Sequence, residues 1–371
     1  MPLRGVTVIE LGLNLAGPLA TQILADLGAD VIKVERPNGG DDTRGWGPPF
    51  VDGSGMGFHG VNRSKRAITL DLATPEGVAR LLALVKTADV FLENLRPGTA
   101  EALGLGPEPL CALNPRLVYC SVSAFGHRGP LRRKPGYEIL VQAFAGNMSL
   151  TGEEHGPPVR MGAPVNDYGT GMWTALGCLA ALRQRDRTGH GAVVTTSLFE
   201  TALFWLAGHV TRYQVSGEPP QRHATGSPRM VGFQAFDTKN GPVVVAAGND
   251  RLFAKLARAI GHAEWAEDER FRTNASRLPH RQFLIDGMQA AFATETKEHW
   301  LDRLEEAGVP CAPLLTVPEV LEEPQTQALG MLGQAPETGV PLMGLPLSID
   351  GHRPEVRRRP PRLGEHNAEI L

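Results

Sequence analysis

Residues 6–35, VTVIELGLNLAGPLATQILADLGADVIKVE, contain the pattern that decides the fold. Val6 to Leu11 is an apolar run, Gly12 to Gly17 is a glycine-bounded loop, and Val31 to Glu35 is apolar again. Pro18 suits the first position of a helix, which would connect the two runs. A strand, a helix and a second buried strand form the repeating unit of a parallel sheet that has helices on both faces. The stretch therefore predicts an α/β fold with a doubly wound parallel sheet.

The same alternation continues along the chain. Short apolar runs with turn residues before them indicate further strands, and longer periodic segments indicate helices. The expected helices are Thr74–Lys86, Gly169–Arg183 and Leu198–Tyr213, and the expected strands are Asp89–Glu93, Arg116–Val122, Ala192–Thr196 and Pro242–Ala247. The loop-rich stretch from Ala124 to Pro164 breaks the pattern with glycine, proline and charge, which is typical of loops that carry a site.

Composition excludes several classes of protein. The 371 residues carry a net charge of -3, so no overall positive field attracts nucleic acid or an anionic membrane. Four scattered cysteines, without a CxxC pair, do not form a disulfide framework and favour a cytoplasmic location. The N-terminus lacks the layout of a signal peptide, and the longest uncharged apolar run, Gly169 to Leu182, is shorter than the roughly 20 residues that span a bilayer. We expect neither a nucleic-acid nor a membrane partner.

Familiar cofactor motifs are also missing. The sequence has no GxxxxGK[ST], GxSxG, HExxH or paired CxxC, and its 11 histidines show no metal-binding spacing, so we predict no metal. The first loop lacks GxGxxG, although Glu35 lies where a ribose contact would be expected in a dinucleotide-binding fold. Arg36, the next residue, suits a phosphate better than a bare ribose. We therefore predict no nicotinamide cofactor.

Asp167, in PVNDYGTGMW, precedes a long apolar helix. Taken alone, an aspartate at this place is most simply an N-cap that accepts backbone N–H bonds. It can also be a nucleophile, because a helix N-terminus stabilises an anionic carboxylate and Gly169 and Gly171 leave room for a thioester. Two basic clusters, Arg132 to Lys134 and Ser64 to Arg66, are open to the same choice between a solvated surface and a phosphate contact.

Seven collinear segments together resemble the family III CoA-transferases, which include carnitine CoA-transferase and formyl-CoA transferase. The resemblance covers nearly the whole chain in order. The segments are LNLAGPLATQILADLGADVIKVERP, NRSKRAITLDL, FLENLRPGTAEALGLG, GYEILVQAFAG, NDYGTGM, RTGHG with SLFETAL, and PRLGEH.

The resemblance implies both an architecture and a reaction. It implies a large Rossmann-like domain from both chain ends (1–200 and 326–371), a linker (201–225), a small central α+β domain (226–325) and an interlocked homodimer. It implies that Asp167 attacks the thioester of an acyl-CoA donor, and that mixed-anhydride and aspartyl-CoA thioester intermediates then carry CoA to a carboxylic acid acceptor. A coenzyme A thioester is then the substrate.

By position, the resemblance also implies a set of CoA-binding residues. Two departures from the family pattern matter: Leu15 replaces the glutamine of formyl-CoA transferase, which disfavours formate and oxalate, and Ala102 stands where a basic residue is common. The implied contacts are Leu15, Ala16, Arg36, Leu70, Asp71, Asn94, Leu95, Arg96, Ala102, Lys134, Tyr137 and Glu138.

Two alternatives remain open. The α-methylacyl-CoA racemase branch of the family uses a histidine and an aspartate to exchange an α-proton, and the histidine position here is Tyr137. A tyrosine, with an unperturbed pKa of about 10, is a poor proton shuttle at neutral pH. A CoA-thioester-binding protein without transfer activity is the second alternative, and the retained Asp167 beside two glycines disfavours it.

Overall fold

The computed structural model describes all residues from Met1 to Leu371, which form two compact units. The first unit consists of Met1–Asn147, Arg160–Glu218 and Gln327–Leu371. The second consists of Met148–Val159 and Pro219–Thr326. The first unit is thus assembled from both ends of the chain, and each unit has a sheet of its own.

A six-stranded parallel sheet with the order β5-β2-β1-β6-β7-β8 forms the centre of the first unit. The order reverses between β1 and β6, where a doubly wound sheet leaves a crevice at the carboxyl ends of its strands. The elements up to residue 218 are β1 (Thr7–Leu11), α1 (Ala16–Asp26), β2 (Asp30–Glu35), β3 (Phe50–Val51), β4 (Ser54–Gly55), α2 (Met56–Val61), β5 (Arg66–Thr69), α3 (Pro75–Val85), β6 (Val90–Glu93), α4 (Thr99–Ala102), α5 (Pro107–Leu113), β7 (Val118–Ser123), α6 (Glu138–Ala145), α7 (Val165–Thr188), β8 (Ala192–Ser197), α8 (Leu198–Trp205) and α9 (Ala207–Ser216).

The sheet is buried on both faces because its strands are apolar at consecutive positions. Val8 of β1 packs in the cluster that includes α1 and α7, whereas Ile9 packs in the cluster that includes α3 and α5. Both side chains are fully buried, and burial of an aliphatic side chain contributes about 1.5–3 kcal/mol. Because successive side chains of a strand pack against helices on opposite faces of the sheet, the carboxyl ends of the strands and the loops that follow them are held in fixed positions.

The second unit contains a three-stranded antiparallel sheet of order β11-β10-β9 covered by helices. Its core includes Phe236, which stacks on Phe292 with ring centroids 4.8 Å apart. The elements are β9 (Phe233–Thr238), β10 (Gly241–Ala246), α10 (Asp250–Ala259), α11 (Ala263–Glu267), α12 (Asn274–Arg277), α13 (Arg281–Phe292), α14 (Lys297–Glu306), β11 (Cys311–Pro313), α15 (Val317–Glu322) and α16 (Pro324–Leu329), the last of which extends into the final segment of the chain.

The C-terminal segment packs on the parallel sheet of the first unit. It contains β12 (Leu332–Gln334), β13 (Pro341–Met343) and α17 (Asn367–Ile370). Arg357 donates to the carbonyl oxygens of Ala25 in the last turn of α1 (2.6 Å) and of Ala29 directly before β2 (2.8 Å). The backbone N–H of Thr69 donates to Asn367 Oδ1 at 2.8 Å. These contacts fasten a proline-rich tail that has little core of its own.

Several sequence predictions need correction in detail. Helix α7 is longer than predicted, and the single helix expected from Leu198 to Tyr213 is two helices that meet at Leu206. Residues up to Ser216 are helical, so the irregular segment begins later than residue 201. Pro18 is the third residue of α1 and not its first. No helix of the chain combines the length and the apolar character that crossing a bilayer requires.

Candidate active site

The crevice at the switch point is bridged by Asn94, which follows β6. Its Oδ1 accepts from the backbone N–H of Leu13, and its Nδ2 donates to the carbonyl of Leu13, both at 2.7 Å. A Cβ at Gly17 would lie 3.1 Å from Cγ of Asn94, a tight contact, so the glycine leaves room for this side chain. Asn94 therefore holds the loop after β1 at a fixed distance from the loop after β6.

A fully buried cluster of charges supports the same loop from below. Lys33 Nζ lies 3.0 Å from Glu10 Oε1 and 2.9 Å from Asp41 Oδ2, and Lys65 Nζ lies 2.9 Å from Glu10 Oε2. Lys33 also donates to the carbonyl of Gly12 at 2.6 Å, and Lys65 to that of Pro18 at 2.8 Å. Lys33 thus anchors the start of the loop and Lys65 the first turn of α1 that follows it, and each buried charge has the hydrogen-bonded partners that burial requires.

Protonation states in this cluster follow from burial and from opposite charges. Burial alone would raise the pKa of Glu10, but Lys33 and Lys65 outweigh it and hold the pKa below its ordinary value. Burial lowers the pKa of Lys65 to about 8, partly offset by Glu10. For Lys33 the carboxylates of Asp41 and Glu10 overcome burial and raise the pKa. The cluster is therefore ionised at neutral pH and electrically balanced.

Asp167 lies in the first turn of α7, and Pro164 occupies the N-cap position. The N-cap interpretation of Asp167 is therefore wrong: its carboxylate accepts no hydrogen bond from the helix or from any other group. Burial and the nearby charge of Glu138 raise its pKa to about 7, from an ordinary value of 3.8. An unpaired, basic carboxylate in a cavity wall is the state that nucleophilic catalysis needs.

Glu138, the first residue of α6, is held firmly beside Asp167. Its Oε1 accepts from Gln142 Nε2 at 2.6 Å and from the backbone N–H of Asn166 at 3.4 Å. Gln142 Oε1 in turn accepts from the backbone N–H of Met161 at 2.9 Å. This chain of hydrogen bonds connects the start of α6, the segment before α7 and the start of α7. It keeps a second negative charge next to Asp167.

Asp167 lines a cavity of about 370 Å³, which we call the aspartate cavity. The sheet edge contributes one wall, and the starts of α6 and α7 contribute another. Its lining residues are Asn14, Leu15, Ala16, Trp46, Asn94, Val122, Ser123, Ala124, Gly136, Tyr137, Glu138, Ile139, Arg160, Pro164, Asp167 and Leu198.

Two further cavities continue along the carboxyl ends of the strands. A connecting cavity of about 300 Å³ shares Asn14, Asn94 and Tyr137 with the aspartate cavity. An arginine cavity of about 440 Å³ shares Leu95, Arg96 and Pro97 with the connecting cavity and adds His127, Arg132 and Arg133. The arginine cavity is also lined by Glu93 and Glu101, so the three cavities together lead from Asp167 to a group of three arginines and two glutamates.

The structure brings eight of the predicted site residues to these cavities: Asp167, Leu15, Ala16, Asn94, Leu95, Arg96, Tyr137 and Glu138. The sequence analysis left the phosphate role of Arg132 and Arg133 open and missed Arg160. Arg160 stands seven residues before Asp167 in GPPVRMGAPVND, and a cation so close to a candidate nucleophile was the available signal.

The other five predicted residues do not line these three cavities. Arg36 is exposed and pairs with Asp42, and Lys134 lies 5.6 Å from the ring centroid of Phe125 and 5.9 Å from that of Phe144. The remaining three lie at the end of β5 or of α4: Leu70, which is buried, Asp71, which accepts from the N–H of Ala73, and Ala102, which is exposed.

The residues that suggested a dinucleotide site and a phosphate contact near Ser64 are paired with other side chains of the chain. Glu35, the candidate ribose ligand, is buried and forms a bidentate pair with Arg44 at 2.6 and 2.8 Å. In the cluster Ser64 to Arg66, Lys65 is buried against Glu10, and Arg66 pairs with Asp30 and Glu369. No group of three or more His, Cys, Asp or Glu side chains is arranged to hold a metal ion.

Comparison with known proteins identifies the class to which this fold and site belong. The sequence model of CoA-transferase family III matches residues 3–367. The chain is 40% identical to succinate–glutarate CoA-transferase of Agrobacterium fabrum, over all of this chain and 95% of that protein. It is also 40% identical to acetyl-CoA:oxalate CoA-transferase of Acetobacter aceti, again over all of this chain and 95% of that protein.

Comparison with a solved structure supports the same family. A CaiB/BaiF family protein from Brucella suis superimposes with a TM-score of 0.89 at 40% identity, covering all of this chain and 98% of that one. The chain belongs to CoA-transferase family III. It is a CoA-transferase, an enzyme that moves CoA between an acyl-CoA and a carboxylic acid.

Proposed function

We propose that the transfer proceeds through covalent intermediates on Asp167. The observation that carries this proposal is the carboxylate itself, which is unpaired, lines a cavity and has a pKa raised to about 7. No hydrogen bond has to break before it attacks, and a more basic carboxylate is a better nucleophile. Because reactant and product are both thioesters, the exchange needs no other source of energy.

The first half of the reaction loads CoA onto the protein. An oxygen of the Asp167 carboxylate attacks the carbonyl carbon of the donor thioester, the C–S bond breaks, and a mixed anhydride and CoA thiolate result. The thiolate then attacks the aspartyl carbonyl of the anhydride. The carboxylate of the first acid departs, and Asp167 is left as an aspartyl-CoA thioester.

The second half reverses these steps with a different acid. The carboxylate of the acceptor attacks the aspartyl carbonyl, which releases CoA thiolate and forms a new mixed anhydride. Attack of the thiolate on the acyl carbonyl of this anhydride yields the new acyl-CoA and restores the Asp167 carboxylate. Helix α7 supports the charged state, because Asp167 lies in its first turn, where the backbone N–H groups favour an anion.

The CoA substrate fits along the three cavities. We place the thioester in the aspartate cavity, the pantetheine arm in the connecting cavity and the phosphates in the arginine cavity. Arg96, Arg132 and Arg133 supply the positive charge there, and guanidinium groups bind phosphate oxygens in pairs of hydrogen bonds. Five predicted CoA contacts lie outside these cavities, and CoA can reach them only if it extends further along the sheet edge. They stay predictions: Arg36, Leu70, Asp71, Ala102 and Lys134.

Dicarboxylic acids are the substrate class that the relatives support. The two relatives described above are named for succinate, glutarate and oxalate, which have two carboxyl groups, and the second is named also for acetyl-CoA, whose acyl group has no free carboxyl. A short dicarboxyl-CoA donor with a dicarboxylic acceptor is therefore our proposal for this chain. Leu15 in the cavity wall favours an acyl group with an apolar middle over oxalate.

We also propose that the working enzyme is an interlocked homodimer in a reducing cytoplasm. Helices α6, α7 and α8 expose large apolar side chains such as Phe144, Leu176 and Phe204, and a surface of this kind is typical of a subunit interface. The four cysteines are free thiols, in agreement with a reducing compartment.

A transfer assay tests the proposed function. Wild-type protein with succinyl-CoA and glutarate should form glutaryl-CoA and succinate in equal amounts, and Asp167→Asn should lower the rate by about a thousandfold or more. Liquid chromatography with mass detection measures both glutaryl-CoA and free succinate. Release of free CoA without glutaryl-CoA would indicate a hydrolase, and exchange of an α-hydrogen of an α-methylacyl-CoA with solvent would indicate the racemase alternative.

A further inference from the structure

Arg160 is the only positively charged side chain in the wall of the aspartate cavity. The same wall contains two carboxylates, those of Asp167 and Glu138. Every substrate of a CoA-transferase is, or releases, a carboxylate, so binding adds negative charge to a wall that is already negative. A cation in this cavity therefore has a direct electrostatic effect on which acids bind there.

Arg160 is also free to receive a ligand. Its guanidinium forms no hydrogen bond or ion pair with any group of the chain, and in particular none with Asp167 or Glu138. The neighbouring backbone N–H of Met161 is held by Gln142, at 2.9 Å, so the segment that carries Arg160 is anchored to α6. An anchored cation without a partner, in a cavity wall, is poised for an anionic ligand.

We propose that Arg160 binds the second carboxylate of a dicarboxylic substrate and so selects diacids over monoacids. One carboxyl group reacts at Asp167, and the other pairs with Arg160 elsewhere in the same cavity. The inference rests on the proposed function, because it assigns a part of the acyl group in that reaction. Arg160 is then a specificity residue that takes no part in forming or breaking the thioester.

The test compares glutarate with two acids of similar length that lack the second charge, pentanoate and monomethyl glutarate. For each acid, kcat/KM for CoA transfer from succinyl-CoA is measured with wild type, Arg160→Lys and Arg160→Met. Arg187→Met is the matched control, because Arg187 is an exposed arginine in the last turn of α7, about 30 Å along the helix from Asp167.

Wild type should prefer glutarate, and Arg160→Met should reduce that preference by about tenfold to a hundredfold, the loss expected for a charge-assisted pair. Arg160→Lys should retain part of the preference for glutarate, and Arg187→Met should retain all of it. Inhibition by free CoA should be the same in the Arg160 variants as in wild type. The inference is overturned if wild type shows no preference, if Arg160→Met keeps it, or if this variant loses activity with all three acids alike. A wild type that transfers CoA to none of them contradicts the proposed function itself.

Discussion

At the scale of single residues, the proposed chemistry depends on a carboxylate that the fold leaves without partners. The backbone N–H of the adjacent Asn166 donates to Glu138 and not to Asp167. The raised pKa of Asp167 is a cost to the folded state, because the unfolded chain ionises this group at a lower pH. Functional sites commonly store strain of this kind.

Because the raised pKa of Asp167 destabilises the folded state, we predict that the effect of Asp167→Asn on stability depends on pH. The folded protein binds the proton more tightly than the unfolded chain, so wild type loses stability as the pH rises from about 4 through about 7. The asparagine variant has no such loss. It should gain, relative to wild type, of the order of 2 kcal/mol in free energy of unfolding between pH 5 and pH 8.

Urea unfolding at the two pH values measures this difference. Glu138→Gln offers a second variant, because removal of the neighbouring charge should lower the pKa of Asp167 and reduce the pH dependence. A stability difference between wild type and Asp167→Asn that is the same at both pH values would contradict the raised pKa.

At the scale of elements, the loop between β1 and α1 is held at three places. Lys33 binds the carbonyl of Gly12 at its start, Asn94 binds its middle from the end of the neighbouring strand, and Lys65 binds the carbonyl of Pro18 in the first turn of α1. The strands that the sequence predicts lie within about two residues of the observed ones, because apolar runs report burial directly, whereas β5 and β9 were not predicted. It does not reveal that Glu10 contacts Lys33 and Lys65, since pairing between distant charges has no local pattern. A lysine and a glutamate within buried strands were nevertheless a visible sign of a buried charge network.

The apolar side chains exposed on helices α6, α7 and α8 allow the proposed dimer to be tested. Leu176 of α7 is 55% exposed and lies on a face that we assign to the dimer. Leu176→Glu should weaken dimerisation by about a hundredfold, because it places a charge in an apolar interface. Val317→Glu, at a residue 71% exposed in the second unit, is the control and should leave the dimer intact.

Light scattering after size-exclusion chromatography gives the mass of each variant. A wild type that remains monomeric at micromolar concentration, or a Leu176→Glu variant that stays dimeric, would show that this face has no partner copy.

At the scale of the whole molecule, the first unit combines segments from both ends of the chain. The C-terminal segment contributes contacts that local patterns do not predict, since Arg357 and Asn367 bind backbone groups more than 290 residues away. The cavities, too, are properties of the assembled fold. The role of Asp167 is a prediction from the family resemblance, whereas the proposal for Arg160 required the positions of the surrounding elements.

The central claim, that CoA becomes bonded to Asp167, is tested most directly by the mass of the intact protein after incubation with succinyl-CoA. Wild type should gain a covalent CoA adduct, and hydroxylamine should convert it to a hydroxamate that peptide mapping locates at Asp167. Asp167→Asn should gain none. Efficient transfer by a wild-type protein that never carries an adduct, or an adduct located at another residue, would contradict the account.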